Sequence, residues 1–182
     1  MFAAVVSSQP GGTMKTLIAV IGSSDAAGET LTIAFETGRE IIKAGFSMIC
    51  GGLSGVMEAA CRGAESVAGP GSGRIIGILP GISKRDANRY VDIAIPTGIG
   101  YSRNCIIACA CDGVIAIAGG SGTLSELAMA WQYGKPVVVI QGIEGVSQDL
   151  VGRALDSRRS DCVLGAKNAL EAVQTLNRLL KI

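Results

Sequence analysis

The chain has 182 residues, a length that suits one domain, and 48% of them are hydrophobic, enough to bury a full core. Sixteen basic against fifteen acidic residues leave a net charge of +1, which gives no electrostatic footprint for a nucleic-acid polymer or an anionic membrane. There is no histidine, so the commonest general base, the usual zinc ligand and every Ser-His or Cys-His nucleophile are excluded together.

Residues 1–13, with Gly11-Gly12 just before a second methionine at Met14, read as an unstructured extension or tag, and residues 14–182 as one domain. The apolar run 17–22 after Lys15 is too short for the core of a signal peptide, and no run reaches the roughly 18 apolar residues of a membrane span. A cytoplasmic protein is expected. In chain order, 17–22, 47–50, 74–79, 91–95, 113–118 and 137–140 read as strands. Helical spacing covers 30–44, 55–67, 101–111 and 123–133, and a last helix over 166–180 carries Ala169, Val173, Leu176 and Leu180 on one stripe. Strands without strict alternation are buried on both faces. Alternating with helices, they predict a single-domain, Rossmann-like three-layer α/β fold around a parallel sheet.

Six cysteines (Cys50, Cys61, Cys105, Cys109, Cys111 and Cys162) read as reduced core residues, because a chain this long and apolar needs no staples. The run Cys105-x3-Cys109-x-Cys111 has no zinc or iron–sulfur spacing, and no metal site is expected. Trp131 reads as core or interface filling.

In such a sheet, ligands sit beyond the carboxyl ends of the strands, and the glycines gather there. Gly22-Ser23 follows the first strand, and Gly51-Gly52-Leu53-Ser54-Gly55 follows the second. Gly119-Gly120-Ser121-Gly122-Thr123 follows the fifth. The last two open helices, whose free N–H groups and positive dipole ends attract phosphate. No Walker lysine is present, so triphosphate hydrolysis is not expected. Thr123-x-x-Glu126 also spells a capping box, and Ser54 is a plausible N-cap. Arg103 heads an otherwise apolar helix, placed to meet a ligand phosphate or a buried carboxylate such as Glu126.

Ala118-Gly119-Gly120-Ser121-Gly122-Thr123-Leu124-Ser125-Glu126 resembles the P-G-G-x-G-T-x-x-E motif of the Lonely Guy phosphoribohydrolases, a lysine-decarboxylase-like group. The stretches C-G-G-L-S-G-V-M-E-A-A-C (50–61), I-I-G-I-L-P-G (75–81) and Y-V-D-I-A-I-P-T-G-I-G-Y-S-R-N (90–104) are closer to a sister family, the molybdenum cofactor carrier proteins. The resemblance implies a homo-oligomer, dimer or tetramer, that binds a phosphorylated pterin or nucleotide, with the molybdenum cofactor as the leading ligand. The binding residues it implies are Gly22, Ser23, Gly51, Gly52, Ser54, Gly55, Arg103, Asn104, Gly119, Gly120, Ser121, Gly122, Thr123 and Glu126. The alternative it implies is hydrolysis of the N-glycosidic bond of a nucleoside 5′-monophosphate, with Arg103 and Glu126 as the catalytic pair. Two departures favour the carrier. Ala118 stands where the hydrolases have proline, and Asn104 where they have lysine.

Overall fold

The computed structural model describes residues 15–181, so the extension expected at 1–13 lies outside the described residues. Seven strands form a sheet: β1 (Leu17–Gly22), β2 (Ser47–Cys50), β3 (Ile75–Leu79), β4 (Ile93–Pro96), β5 (Gly113–Ile117), β6 (Val137–Ile140) and β7 (Leu164–Ala166). Their order is β4-β3-β2-β1-β5-β6-β7 and every pairing is parallel. The helices are α1 (Glu29–Lys43), α2 (Val56–Ala68), α3 (Asn104–Ala110), α4 (Ser121–Gln132) and α5 (Ala169–Leu180). The architecture is the expected Rossmann-like α/β one.

Two cores flank the sheet, and the period of two along each strand divides the residues between them. Ile18 and Val20 of β1 pack with α1, α2 and α5; Ala19 and Ile21 pack with α3 and α4. Strands β2, β5 and β6 are buried throughout, as strands covered on both faces must be. Helix α1 turns Ala34, Gly38, Ile41 and Ile42 inward at helical spacing. It crosses α2 almost backbone to backbone, since a Cβ at Gly38 would stand 1.9 Å from the Ala60 carbonyl oxygen. Trp131 is core: it is buried, its Nε1 donates to Asp156 at 3.2 Å, and the Arg159 guanidinium covers its ring.

The structure departs from the sequence reading at several ends. Strand β4 starts at Ile93 because Asp92 is engaged elsewhere, its carboxylate accepting from the N–H groups of Gly71, Arg74 and Ile75. The helix expected over 101–111 is a 3-10 turn, Gly100–Arg103, followed by α3. The last helix begins at Ala169, not 166, and residues 164–166 form an edge strand instead. A reciprocal cap sets that start: Asn168 accepts from Glu171 N–H, and Glu171 accepts from Lys167 N–H.

Chain order reverses between β1 and β5. Helix α1 returns over one face and α4 over the other, which opens a crevice beyond the carboxyl ends of those two strands.

Candidate functional site

That crevice holds a cleft of about 590 Å³, within the ~300–1,000 Å³ of ordinary small-ligand pockets. Its walls come from the ends of β1, β2 and β5. Gly22, Ser23, Ser24 and Asp25 follow β1; Gly51, Leu53 and Met57 follow β2. Tyr101, Arg103 and Asn104 enter from the 3-10 turn and α3. Gly120, Ser121, Gly122, Thr123, Ser125 and Glu126 complete it from the start of α4.

Helix α4 begins at Ser121 with Gly120 as its N-cap, and no side chain bonds to that cap. The capping-box reading is therefore corrected. The helix starts two residues before Thr123, which leaves Glu126 in its second turn, too far along to reach a cap N–H. Leu124 N–H is the first to find an intrahelical partner, Gly120 O at 2.9 Å. The N–H groups of Ser121, Gly122 and Thr123 thus stand at the cleft without helical acceptors, at the positive end of the dipole. The turn before them is held under strain. Ala118 has φ 55, a left-handed value unusual for a residue with a Cβ, and Gly119 follows at φ 94. Ser147 and the 145–146 backbone brace this turn from behind: Ser147 Oγ donates to Ala118 O at 2.6 Å, and Val146 N–H to Gly119 O at 2.9 Å.

Arg103 and Glu126 meet at the floor. Arg103 Nη1 donates to Glu126 Oε1 at 3.1 Å, and both residues are only 7% exposed. Burial pushes the Glu126 carboxyl up to about 7, against the opposing pull of Arg103. Arg103 Nη1 also donates to Asn104 Oδ1, whereas the buried Nε has no partner. A guanidinium with one nitrogen doing the bonding retains capacity for an incoming anion. Asn104 is fully committed: its Nδ2 donates to Ser125 Oγ at 2.8 Å and Gly122 O at 3.3 Å, tying α3 to the first turn of α4.

Not every expected residue reaches the cleft wall. Gly52 packs on Leu79 and Gly77, and Gly119 packs on the Thr123 side chain. The N-cap of α2 is Gly55 and not Ser54. Ser54 Oγ instead donates to Ser24 O at 3.2 Å, and Gly55 lies against the carbonyls of Ser23 and Ser24. These residues shape the turns behind the wall. Sequence reasoning did not reach Asp25, Leu53, Met57, Ser125 or Tyr101, the last 87% exposed at the mouth. For Tyr101 a signal was present, an aromatic directly after a strand-end glycine. Leu53 and Ser125 lie inside the strand-end turn and the motif already quoted, and Asp25 and Met57 carry no signal.

The six cysteines are free. Among the described residues no group of three or more Cys, Asp or Glu is placed to hold a metal, and no helix is long and apolar enough to cross a membrane.

The family model described as "SLOG cluster4 family" matches residues 15–173. An uncharacterised protein of Archaeoglobus fulgidus is 42% identical over 133 residues, covering 69% of this chain and 84% of its own length. A Mycobacterium tuberculosis cytokinin riboside 5′-monophosphate phosphoribohydrolase is 29% identical over 133 residues, covering 69% and 70%. Among solved structures, the molybdenum cofactor binding protein of Rippkaea orientalis superposes with a TM-score of 0.81 at 32% identity, over 93% of this chain and 99% of that one. The molybdenum cofactor carrier protein of Chlamydomonas reinhardtii gives 0.78 at 32%, over 92% and 100%.

Proposed function

The chain belongs to the SLOG cluster4 family, and from that premise we propose that it binds and carries a phosphorylated pterin, the molybdenum cofactor, without converting it. The observation that carries this reading is the state of Asn104. The hydrolases carry a lysine at that place. Here both ends of the side chain are bonded inside the protein, to Arg103, Ser125 and Gly122. What remains is machinery for holding. The open N–H groups of α4 suit a phosphate, and the Arg103 guanidinium in the cleft wall suits a second anionic group. A carrier needs no more, whereas a hydrolase must favour charge that develops only in the transition state.

Such an arrangement binds anions with few formal charges. Among the described residues Arg103 is the one cation in the wall, and Asp25 and Glu126 stand with it. Affinity then rests largely on backbone dipoles.

The rival reading, phosphoribohydrolase, draws on Glu126, a carboxyl titrating near 7 beside Arg103 in the cleft. One experiment separates them. The protein is purified from cells with an intact molybdenum cofactor pathway and assayed for molybdenum and for oxidised-pterin fluorescence. The same preparation is incubated with AMP and followed for free adenine. Molybdenum and pterin retained in fixed ratio, with no adenine, is the expected result. Adenine release that falls about 10²–10³-fold in Glu126→Ala would replace the carrier with the hydrolase.

The exposed apolar side chains of Ile93, Ile95, Ile99 and Ile106 support self-association, as dimer or tetramer. Ile93 and Ile95 pair in register with Ile76 and Ile78 and so lie on the α3/α4 side of the sheet. Sedimentation as an 18.5 kDa monomer at micromolar concentration would overturn this.

A further inference from the structure

A second, smaller cavity of about 240 Å³ lies on the other side of the wall that Ser24 forms with the turn into α2. Ser24 lines both spaces, so they adjoin at that residue. The wall is firmly built: Val56 N–H donates to Ser23 O at 2.9 Å and Ser54 Oγ to Ser24 O. Around the smaller cavity stand Leu31, Glu58, Arg62 and Tyr90. Glu58 and Arg62 are one turn apart on α2, the spacing of an intrahelical ion pair. No such pair forms. Among the described residues Glu58 has no salt-bridge partner, and Arg62 lays its guanidinium over the Phe35 ring at 5.2 Å. A carboxylate in no ion pair, beside an aromatic and an aliphatic side chain, in a space the size of one ring system, is the chemistry of a heterocycle site.

We propose that this cavity is a ring-recognition subsite for the 2-amino-4-oxo edge shared by pterins and guanine, read by the Glu58 carboxylate. That edge presents a ring N–H and an amino group side by side, two donors that match the two oxygens of one carboxylate. Adenine offers a ring acceptor at the corresponding place, which faces the carboxylate with repulsion. Leu31 and Tyr90 supply the apolar wall, and Arg62 sets a positive charge near the carboxylate it does not bond. Ligand phosphate at α4 and ring at Glu58 would place the ligand across Ser24. The inference takes only the phosphate position from the carrier reading.

The test uses GMP, AMP, guanosine, free pterin and inorganic phosphate as probes, with affinities measured by calorimetry. The wild type should bind GMP at least tenfold more tightly than AMP. Glu58→Ala should erase that ratio by weakening GMP and relieving the repulsion on AMP, while an unchanged affinity for inorganic phosphate reports an intact main cleft; alanine is a good helix former at this site. Whichever of free pterin and guanosine displaces GMP better names the source of the edge. Equal wild-type affinity for AMP and GMP, or a ratio that survives Glu58→Ala, overturns the inference. A protein that retains no molybdenum but prefers GMP through Glu58 loses the carrier reading alone. One that retains the cofactor yet treats GMP and AMP alike loses this inference alone.

Discussion

Two glycine-rich turns read alike as sequence and differ in what their glycines do. In the turn from β2 to α2, a Cβ at Gly51 would lie 2.3 Å from Arg103 Nη2, and one at Gly55 2.4 Å from Ser23 O. Those glycines exist so that other groups can come close. In the turn from β5 to α4, a Cβ at Gly120 or Gly122 would meet nothing within 4 Å. Their freedom faces the cleft. The first turn is chiefly a packing joint, whereas in the second Gly119 packs on Thr123 and Gly120 and Gly122 leave open space at the cleft as an approach surface.

The largest effect should come from breaking the joint. Gly55 has φ 66 and carbonyls at 2.4 and 2.5 Å from the Cβ position. Gly55→Ala therefore combines backbone strain with overpacking and should cost about 4 kcal/mol, read from denaturant unfolding. A loss below about 1 kcal/mol would show that the Ser23–Ser24 segment yields easily, and the two turns would then not differ in kind.

Next comes the group the joint protects. With Gly51 bare, Arg103 lies beside it and meets Glu126, whose folded pKa of about 7 exceeds its ordinary 4.5. The folded protein binds that proton more tightly than the unfolded chain does. Stability should fall as pH rises from about 4.5 to 7, by at most about 3 kcal/mol, and stay low above. Asp156 and Asp161, both held below their ordinary range by Arg158 and Arg159, act in the opposite sense but only at lower pH. Thermal melts between pH 5 and 7.5 check this. The slope should vanish in Glu126→Gln, and a slope that persists would assign it to another group.

The approach surface is tested by function. Gly120→Val should still fold, losing about 1 kcal/mol because valine is a poorer N-cap than glycine while its Cβ enters open space, and should lower affinity for a phosphorylated ligand about 100-fold by keeping the backbone at a distance. Unchanged affinity in the folded variant would remove this turn from the site.

Much of this was legible beforehand because burial leaves a plain record. Runs such as Val137-Val138-Val139-Ile140 are strands on any reading, and five of the six expected strands match the structure to within a residue or so. Strand β7 was not legible. Three residues, Leu164, Gly165 and Ala166, are too few to show a period, and they pair only because β6 offers an edge. The start of α5 could have been found from Asn168-x-x-Glu171, where Asn168 caps Glu171 N–H and Glu171 reaches back to Lys167 N–H, whereas Thr123-x-x-Glu126 is a capping box in spelling only. A cap motif states which bonds are possible, and tertiary partners such as Arg103 decide which form. The two turns are the same lesson at the site. Sequence shows where glycine is needed, and only the neighbours of the missing Cβ show why.

Gly122→Ala draws the smallest effect and divides the approach surface most finely. Gly122 is the second residue of α4, and alanine there removes unfolded-chain freedom without a clash, so stability should rise by about 0.5 kcal/mol. Its carbonyl accepts from Asn104 Nδ2 and Ser125 Oγ, and neither bond involves the hydrogen being replaced. The link between α3 and α4 should survive, and Tm measures that. Affinity is then free to report on the ligand alone. A phosphate centred on the N–H groups of Ser121 and Gly122 would meet the new methyl at its margin, for a loss under tenfold. A loss as large as that of Gly120→Val would move the phosphate one residue further into the helix. No loss with higher Tm would confine close approach to Gly120, and the turn from β5 to α4 would hold one approach glycine instead of two.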